Sequence, residues 1–153
     1  MTNETEPKER ILVSACLLGD NVRYDGGNNL IDNLDKLQER YEIIPVCPEI
    51  IGGLVTPRIP SEIKSFNPLT IENEFGIDTL DFFTDGAMQT LNICQKYNIK
   101  IALLKSKSPS CGIKEVYDGT FTKTLIPGQG ITANILAQHN IRLYDENQIG
   151  ELI

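Results

Sequence analysis

Ile101-Ala102-Leu103-Leu104 is a four-residue apolar run, and one residue later comes Ser106-Lys107-Ser108-Pro109-Ser110-Cys111-Gly112. A run that short, ending in Ser, Pro and Gly, predicts a buried strand opening into a structured loop. Two further cysteines stand in the same way. Cys16 closes Ile11-Leu12-Val13-Ser14-Ala15, and Cys47 closes Ile43-Ile44-Pro45-Val46. If these runs are parallel strands, all three thiols leave the sheet at its carboxyl edge, where open α/β sheets bind ligands. Three converging cysteines with no fourth partner suit a metal or iron-sulfur centre that keeps one coordination position open.

Outward from these strands the pattern alternates. Residues 17–29 are rich in Gly, Asn and Asp and carry Arg23, Tyr24 and Asp25. At a strand's carboxyl end such residues either touch ligand or serve turn chemistry, which Asp25-Gly26-Gly27 also satisfies. Asn29 caps a predicted helix over 30–40, where Leu30, Leu34 and Leu37 recur at helical spacing. Residues 47–60 are too dense in Pro and Gly for regular structure, and a structured loop of that length points to function.

Residues 69–77 predict a small hairpin turning at Asn73-Glu74. A long helix then starts at Asp78 or Thr79 and runs to about Tyr97, unless Asp85-Gly86 breaks it in two. Ala87, Leu91 and Cys94 share one face of that helix, so Cys94 reads as core. Residues 115–125 predict a hairpin around Asp118-Gly119, residues 130–138 a last helix and 141–144 a last strand. The expected fold class is α/β. It comprises a single Rossmann-like domain over 11–153, with a mostly parallel sheet, helices on both faces and small hairpin insertions. A flexible tail over 1–10 is expected to precede it.

The 153 residues suffice to bury a core without staples. A net charge of −7 argues against a nucleic-acid partner, since phosphate binding draws on clustered Lys and Arg. No stretch approaches the roughly 20 apolar residues of a membrane helix, and residues 1–10 lack the apolar core of a signal peptide. A cytoplasmic protein without membrane association is expected. In that reducing compartment the four cysteines are metal-binding, catalytic or buried rather than disulfide-bonded.

Cysteine-histidine catalysis needs an imidazole beside the thiol. His139, the one histidine, falls between the last helix and the last strand, at the amino edge of the sheet. Strands of about five residues at ~3.3 Å each set it ~15 Å or more from the cysteines. Closed structural zinc wants four ligands, usually as paired cysteines, and these cysteines stand alone. Three simply buried thiols remain open on residue pattern. Against that stand Glu49, two residues beyond Cys47, the hydroxyls of Ser106, Ser108 and Ser110, and Gly112 beside Cys111.

Ser14-Ala15-Cys16-Leu17-Leu18-Gly19, Val22-Arg23-Tyr24-Asp25-Gly26, Cys47-Pro48-Glu49, Gly52-Gly53-Leu54 with Pro57-Arg58, and Lys107-Ser108-Pro109-Ser110-Cys111-Gly112 resemble, in that order, the thiouracil desulfidase family. The resemblance covers nearly the whole chain. It implies a 4Fe-4S cluster held by Cys16, Cys47 and Cys111 with one iron free of protein ligand. It also implies a catalytic carboxylate matching Glu49, and a catalytic serine placed at Ser108, with Ser106 and Ser110 flanking it.

The activity implied is a non-redox desulfidation of a small-molecule thiolated pyrimidine, replacing the thiocarbonyl sulfur by oxygen and releasing sulfide. Glu49 would take a proton from attacking water, and Ser108 would position substrate or relay a proton. Substrate contacts are expected from Arg23, Tyr24, Asp25 and Ser110. Two other functions fit the same residues: a cluster-bearing sulfur carrier in thionucleoside metabolism, and a cluster-free small-molecule binding domain.

Overall fold

The computed structural model describes residues 7–153. In chain order the elements are β1 (Glu9–Ser14), α1 (Leu34–Arg40), β2 (Tyr41–Val46), α2 (Pro48–Ile51), β3 (Ser61–Phe66), β4 (Leu69–Asn73), α3 (Leu80–Lys96), β5 (Ile101–Leu104), β6 (Glu115–Tyr117), β7 (Leu125–Pro127), α4 (Ile131–Gln138) and β8 (Arg142–Asp145). Single 3-10 turns follow β1, at Ala15–Leu18, and β8, at Glu146–Glu151.

The three apolar runs and the last strand form one parallel sheet in the order β2-β1-β5-β8. Strands buried on both faces read as continuous apolar runs, as the central strands β1, from Ile11, and β5 do, whereas the edge strands β2 and β8 carry exposed residues. Alternate residues feed two cores. Leu12, Ala102 and Leu104 pack with Leu91 and Cys94 of α3 and Ala133 and Leu136 of α4. Ile11, Val13, Ile101 and Leu103 pack on the other face with Leu37 of α1 and Leu152. The expected α/β class, with helices on both faces of a parallel sheet and small hairpins, is what the chain adopts. Among the described residues no helix is long and apolar enough to cross a membrane.

Several boundaries differ from expectation, each for a local reason. β1 begins at Glu9 rather than Ile11, because Glu9 and Arg10 pair with Tyr41 and Glu42 of β2. The expected tail is shorter by those residues, and its part over 1–6 lies outside the described residues. The first helix starts at Leu34, not Leu30. The backbone at 29–31 is held elsewhere, the Asn29 and Ile31 amides donating to Cys16 O at 2.8 Å and Leu17 O at 3.1 Å.

Ser61–Phe66 is a strand the sequence hid, since a register shift between Ile63 and Ser65 breaks its alternation. It pairs with β4 across a turn at Asn67-Pro68. The expected turn after Asn73 exists, with the Asn73 side chain accepting the Phe75 and Ile77 amides. Beyond it, though, only a single bridge, Glu72 to Asp78, returns along β4.

Gly86 does not break α3. A Cβ there would lie 1.9 Å from Pro48 O, and one on Gly52 would lie 2.1 Å from Phe82 O. α2 and α3 therefore cross backbone against backbone. That contact seats the segment carrying Cys47 and Glu49 at the carboxyl edge of the sheet, in a loop the sequence pattern had left irregular.

Candidate active site

A cavity of about 520 Å³ opens at the carboxyl ends of β1, β2 and β5, and Cys16, Cys47, Glu49, Ser108, Ser110 and Cys111 all line it. Each thiol arrives by a different local route. Cys16 sits in the 3-10 turn that ends β1. Cys47 precedes Pro48, which starts α2, and extended backbone at Cys47 turns the chain into that helix. Cys111 ends the serine loop, where Ser108 Oγ accepts the amides of Ser110 and Cys111, both at 3.0 Å. A serine binding the backbone two and three residues on is a side-chain turn, and it fixes where Cys111 points.

Burial is the largest influence on all three thiols and raises their pKa values. Each also has hydrogen-bonding neighbours that favour its thiolate. The Asn29 side chain reaches Cys16, and the Lys105 and Arg23 charges act in the same direction. The Ile50 and Glu49 amides reach Cys47. The Ser110 and Ser14 hydroxyls lie 3.4 Å from Cys111 Sγ. Cys111 is nonetheless pushed up to about 12, the nearby Cys47 and Cys16 adding to the effect of burial. Cys94 is pushed up to about 11 by burial alone, and it lies in the apolar cluster between sheet and helices, as its helical spacing predicts.

Among the described residues no three His, Cys, Asp or Glu side chains stand close enough to share one metal ion. A polynuclear iron-sulfur centre takes one thiolate per iron, so its ligands stand around a body of several atoms instead of meeting at a point. Three separated thiols with hydrogen-bond donors behind them, on the wall of a cavity of this size, are a donor set that fits such a centre.

Glu49, in the first turn of α2, is mostly enclosed. Burial raises its pKa above the ordinary carboxylate value, and the Arg58 guanidinium works against that rise. Arg58 Nε donates to Glu49 Oε1 at 3.1 Å, with only 8% of the Arg58 side chain exposed. Arg58 also donates from Nη2 to Val22 O at 2.9 Å, and its own amide donates to Tyr24 O at 2.7 Å. One guanidinium thus ties the carboxylate to the loop carrying Arg23 and Tyr24. A carboxylate with a raised pKa, facing a cavity and held by one partner, is suited to act as a proton acceptor.

The three serines have separate surroundings. Ser106 Oγ donates to Glu146 Oε2 at 2.8 Å, its amide donates to Oε1 at 2.8 Å, and Lys105 Nζ lies 3.0 Å from Oε2. Ser110 is fully buried against Cys111 and Ser108. Ser108 Oγ already accepts two amides, so what it has left to offer is its proton. Gly130, just before α4, lets the loop sit down: a Cβ there would lie 2.6 Å from Ser110 O.

Arg23 and Tyr24 line the cavity, whereas Asp25 does not. Asp25 is exposed and accepts the Gly27 amide at 2.9 Å, with Arg23 3.5 Å away, so its turn chemistry is the role the structure displays. His139 caps the end of α4, its Nδ1 2.8 Å from Ile135 O, and takes no part in the cavity wall. No role in the site was expected from the sequence for Ser14, Asn29, Arg58, or Lys105 with its partner Glu146, nor for Tyr117 at the end of β6 and Phe121 in the loop before β7, which wall one side. Arg58 carried a usable signal, a lone cation within a Pro- and Gly-rich loop, but its partner could not be read from spacing.

Comparison with known proteins adds to this geometry. Residues 11–148 match the family model described as 2-thiouracil desulfurase. The chain is 35% identical over 150 residues to the uncharacterized protein YbbK of Bacillus subtilis (strain 168), covering 94% of this chain and 99% of that one. It is also similar to the solved structure of TudS, a 4Fe-4S-dependent thiouracil desulfidase, with 41% identity, a TM-score of 0.88 and coverage of 95% of both chains.

Proposed function

This chain belongs to the 2-thiouracil desulfurase family, and from that premise we propose that it is a non-redox desulfidase acting on the thiocarbonyl of a small thiolated pyrimidine. Water supplies the oxygen, and the products are the carbonyl compound and sulfide, so no electrons are gained or lost. Cys16, Cys47 and Cys111 are the residues that would hold a 4Fe-4S cluster. When bound, the cluster supplies a Lewis acid toward the thiocarbonyl sulfur.

Glu49 acts as the general base. It takes the proton of the attacking water, and burial, by raising its pKa above the ordinary carboxylate value, makes it a stronger base than an exposed carboxylate. Arg58 holds the Glu49 carboxylate by one oxygen and leaves the other for water. Ser108 lines the cavity with its oxygen occupied by two amides and Ser110 Oγ 3.4 Å away, so it serves substrate as a proton donor. Arg23 and Tyr24 border the substrate space from the opposite loop.

The observation that carries this reading is the meeting of three donor-backed thiols with an Arg-held carboxylate on one cavity wall. The deciding experiment is anaerobic reconstitution with iron and sulfide, then an absorption spectrum, an iron count and a sulfide-release assay on 2- and 4-thiouracil. A brown protein with about four irons that releases sulfide is expected. A brown protein that never releases sulfide from any thiolated pyrimidine would defeat the enzymatic role, and a colourless protein would defeat the cluster.

A further inference from the structure

Ser14 is the last residue of β1 and is 3% exposed. Its oxygen accepts the backbone amide of Lys105 at 2.9 Å, which ties the carboxyl ends of β1 and β5 together. With the oxygen so engaged, the hydroxyl proton is free to be donated, and Cys111 Sγ lies 3.4 Å away. Ser110, 1% exposed, sets a second hydroxyl 3.4 Å from the same sulfur. Among the described cysteines this arrangement is particular to Cys111. Cys16 meets a side-chain amide, Cys47 meets backbone amides, and Cys94 has burial as its sole influence.

We infer that Ser14 and Ser110 are positioning residues that donate two hydroxyl hydrogen bonds to the Cys111 thiolate and thereby hold the bound cluster electron-poor. This rests on the reading above in which Cys111 is a cluster ligand. Hydrogen bonds to ligand sulfurs withdraw electron density and are among the terms that set a cluster's reduction potential. An electron-poor iron is also the stronger Lewis acid, so the same two hydroxyls favour the non-redox chemistry. Ser14 has a further consequence: because it also holds the Lys105 amide, it couples the ligand to the start of the serine loop.

The test reconstitutes wild type, Ser14→Ala, Ser14→Thr and Ser110→Ala anaerobically. It reads iron content and the midpoint potential, by a reductive titration followed by electron paramagnetic resonance. Ser14→Ala and Ser110→Ala should each keep the iron and shift the midpoint to more negative potential. Ser14→Thr, which retains a hydroxyl, should stay near wild type. Sulfide release should slow in the two alanine variants through kcat, with KM little changed.

If Ser14→Ala fails to fold or load, Ser110→Ala decides, because it removes a hydroxyl without freeing the Lys105 amide. A fully loaded alanine variant with the wild-type potential overturns the inference. That outcome is distinct from a wild-type protein that loads no cluster, which would overturn the ligand assignment itself and this inference with it.

Discussion

Cys94 and Cys111 lie in the same apolar cluster, 1% and 4% exposed, and burial is the first cause of a raised pKa in both. By the height of the pKa alone, Cys111 at about 12 looks even less suited to bind metal than Cys94 at about 11. The difference between the two regions lies in what surrounds each sulfur. Around Cys94 on α3 are apolar side chains and no donor. Around Cys111 are two hydroxyls, a serine turn, and two more thiols near enough for their charges to be felt. A ligand must be deprotonated when metal binds, and only the second environment can support the anion once it forms. Burial says that a cysteine is inside, whereas donors distinguish the sulfur proposed as a ligand from the one that only fills the core.

The sharpest way to break this contrast is to remove one sulfur at a time. Cys16→Ser, Cys47→Ser and Cys111→Ser should each lose most of the iron after anaerobic reconstitution, and Cys94→Ser should keep it. A cluster that survived Cys111→Ser and vanished with Cys94→Ser would invert the comparison. Next in size is Glu49→Gln. It should keep iron content and absorption while turnover falls about 10²- to 10⁴-fold, the usual worth of a positioned base. Near wild-type sulfide release from that variant would remove Glu49 from the chemistry.

Much of the contrast was legible in the sequence, since it depends on period and on strand ends. Continuous apolar runs placed three of the four parallel strands, and the spacing of Ala87, Leu91 and Cys94 put Cys94 in the core. The three other thiols fell at strand ends that do form one carboxyl edge. What escaped reading was every contact made at long range. Ser14 meets Cys111 across 97 residues, and Ser106 meets Glu146 across 40. No local pattern encodes such pairs.

Gly86 escaped for a related reason. Within one helix a glycine suggests a break, and only the crossing of α2 shows that it is a close-approach position. Asp25 is the opposite case, where local turn chemistry was enough to account for the residue.

Gly86 also joins the two regions, since it lies on α3 with Cys94 yet touches the segment that carries Cys47. Gly86→Ala would set a Cβ against Pro48 O at 1.9 Å. Overpacking of this kind costs about 1–3 kcal/mol, and here backbone rather than a flexible side chain must yield. The expected result is a lower urea midpoint together with weaker iron retention, because Cys47 moves with Pro48. Thr90→Ser, one turn further along the same buried face, should lower the midpoint with iron retention unchanged. A Gly86→Ala protein that loses stability but holds iron as firmly as wild type would show that α3 supports the fold and not the site.

The smallest effect concerns the polar anchor beneath the Cys111 loop. Burial raises the pKa of Glu146, but the Ser106 amide, the Lys105 ammonium and the Ser106 hydroxyl together outweigh it, and the net shift is downward. A carboxyl whose folded pKa lies below its unfolded value contributes stability that is complete above the unfolded value of 4.5. That contribution fades as pH falls through the lower folded value. Glu146→Gln should therefore be less stable than wild type at neutral pH by about 1.5–3 kcal/mol, the worth of hydrogen bonds to a charged group. The gap between the two urea midpoints should narrow as pH falls below 4.5 and the wild-type carboxylate takes up its proton. A gap that stayed constant from neutral pH through the acid range would mean that the loop depends on the shape of Glu146 and not on its charge. The Cys111 environment would then differ from that of Cys94 by its hydroxyls and neighbouring thiols alone.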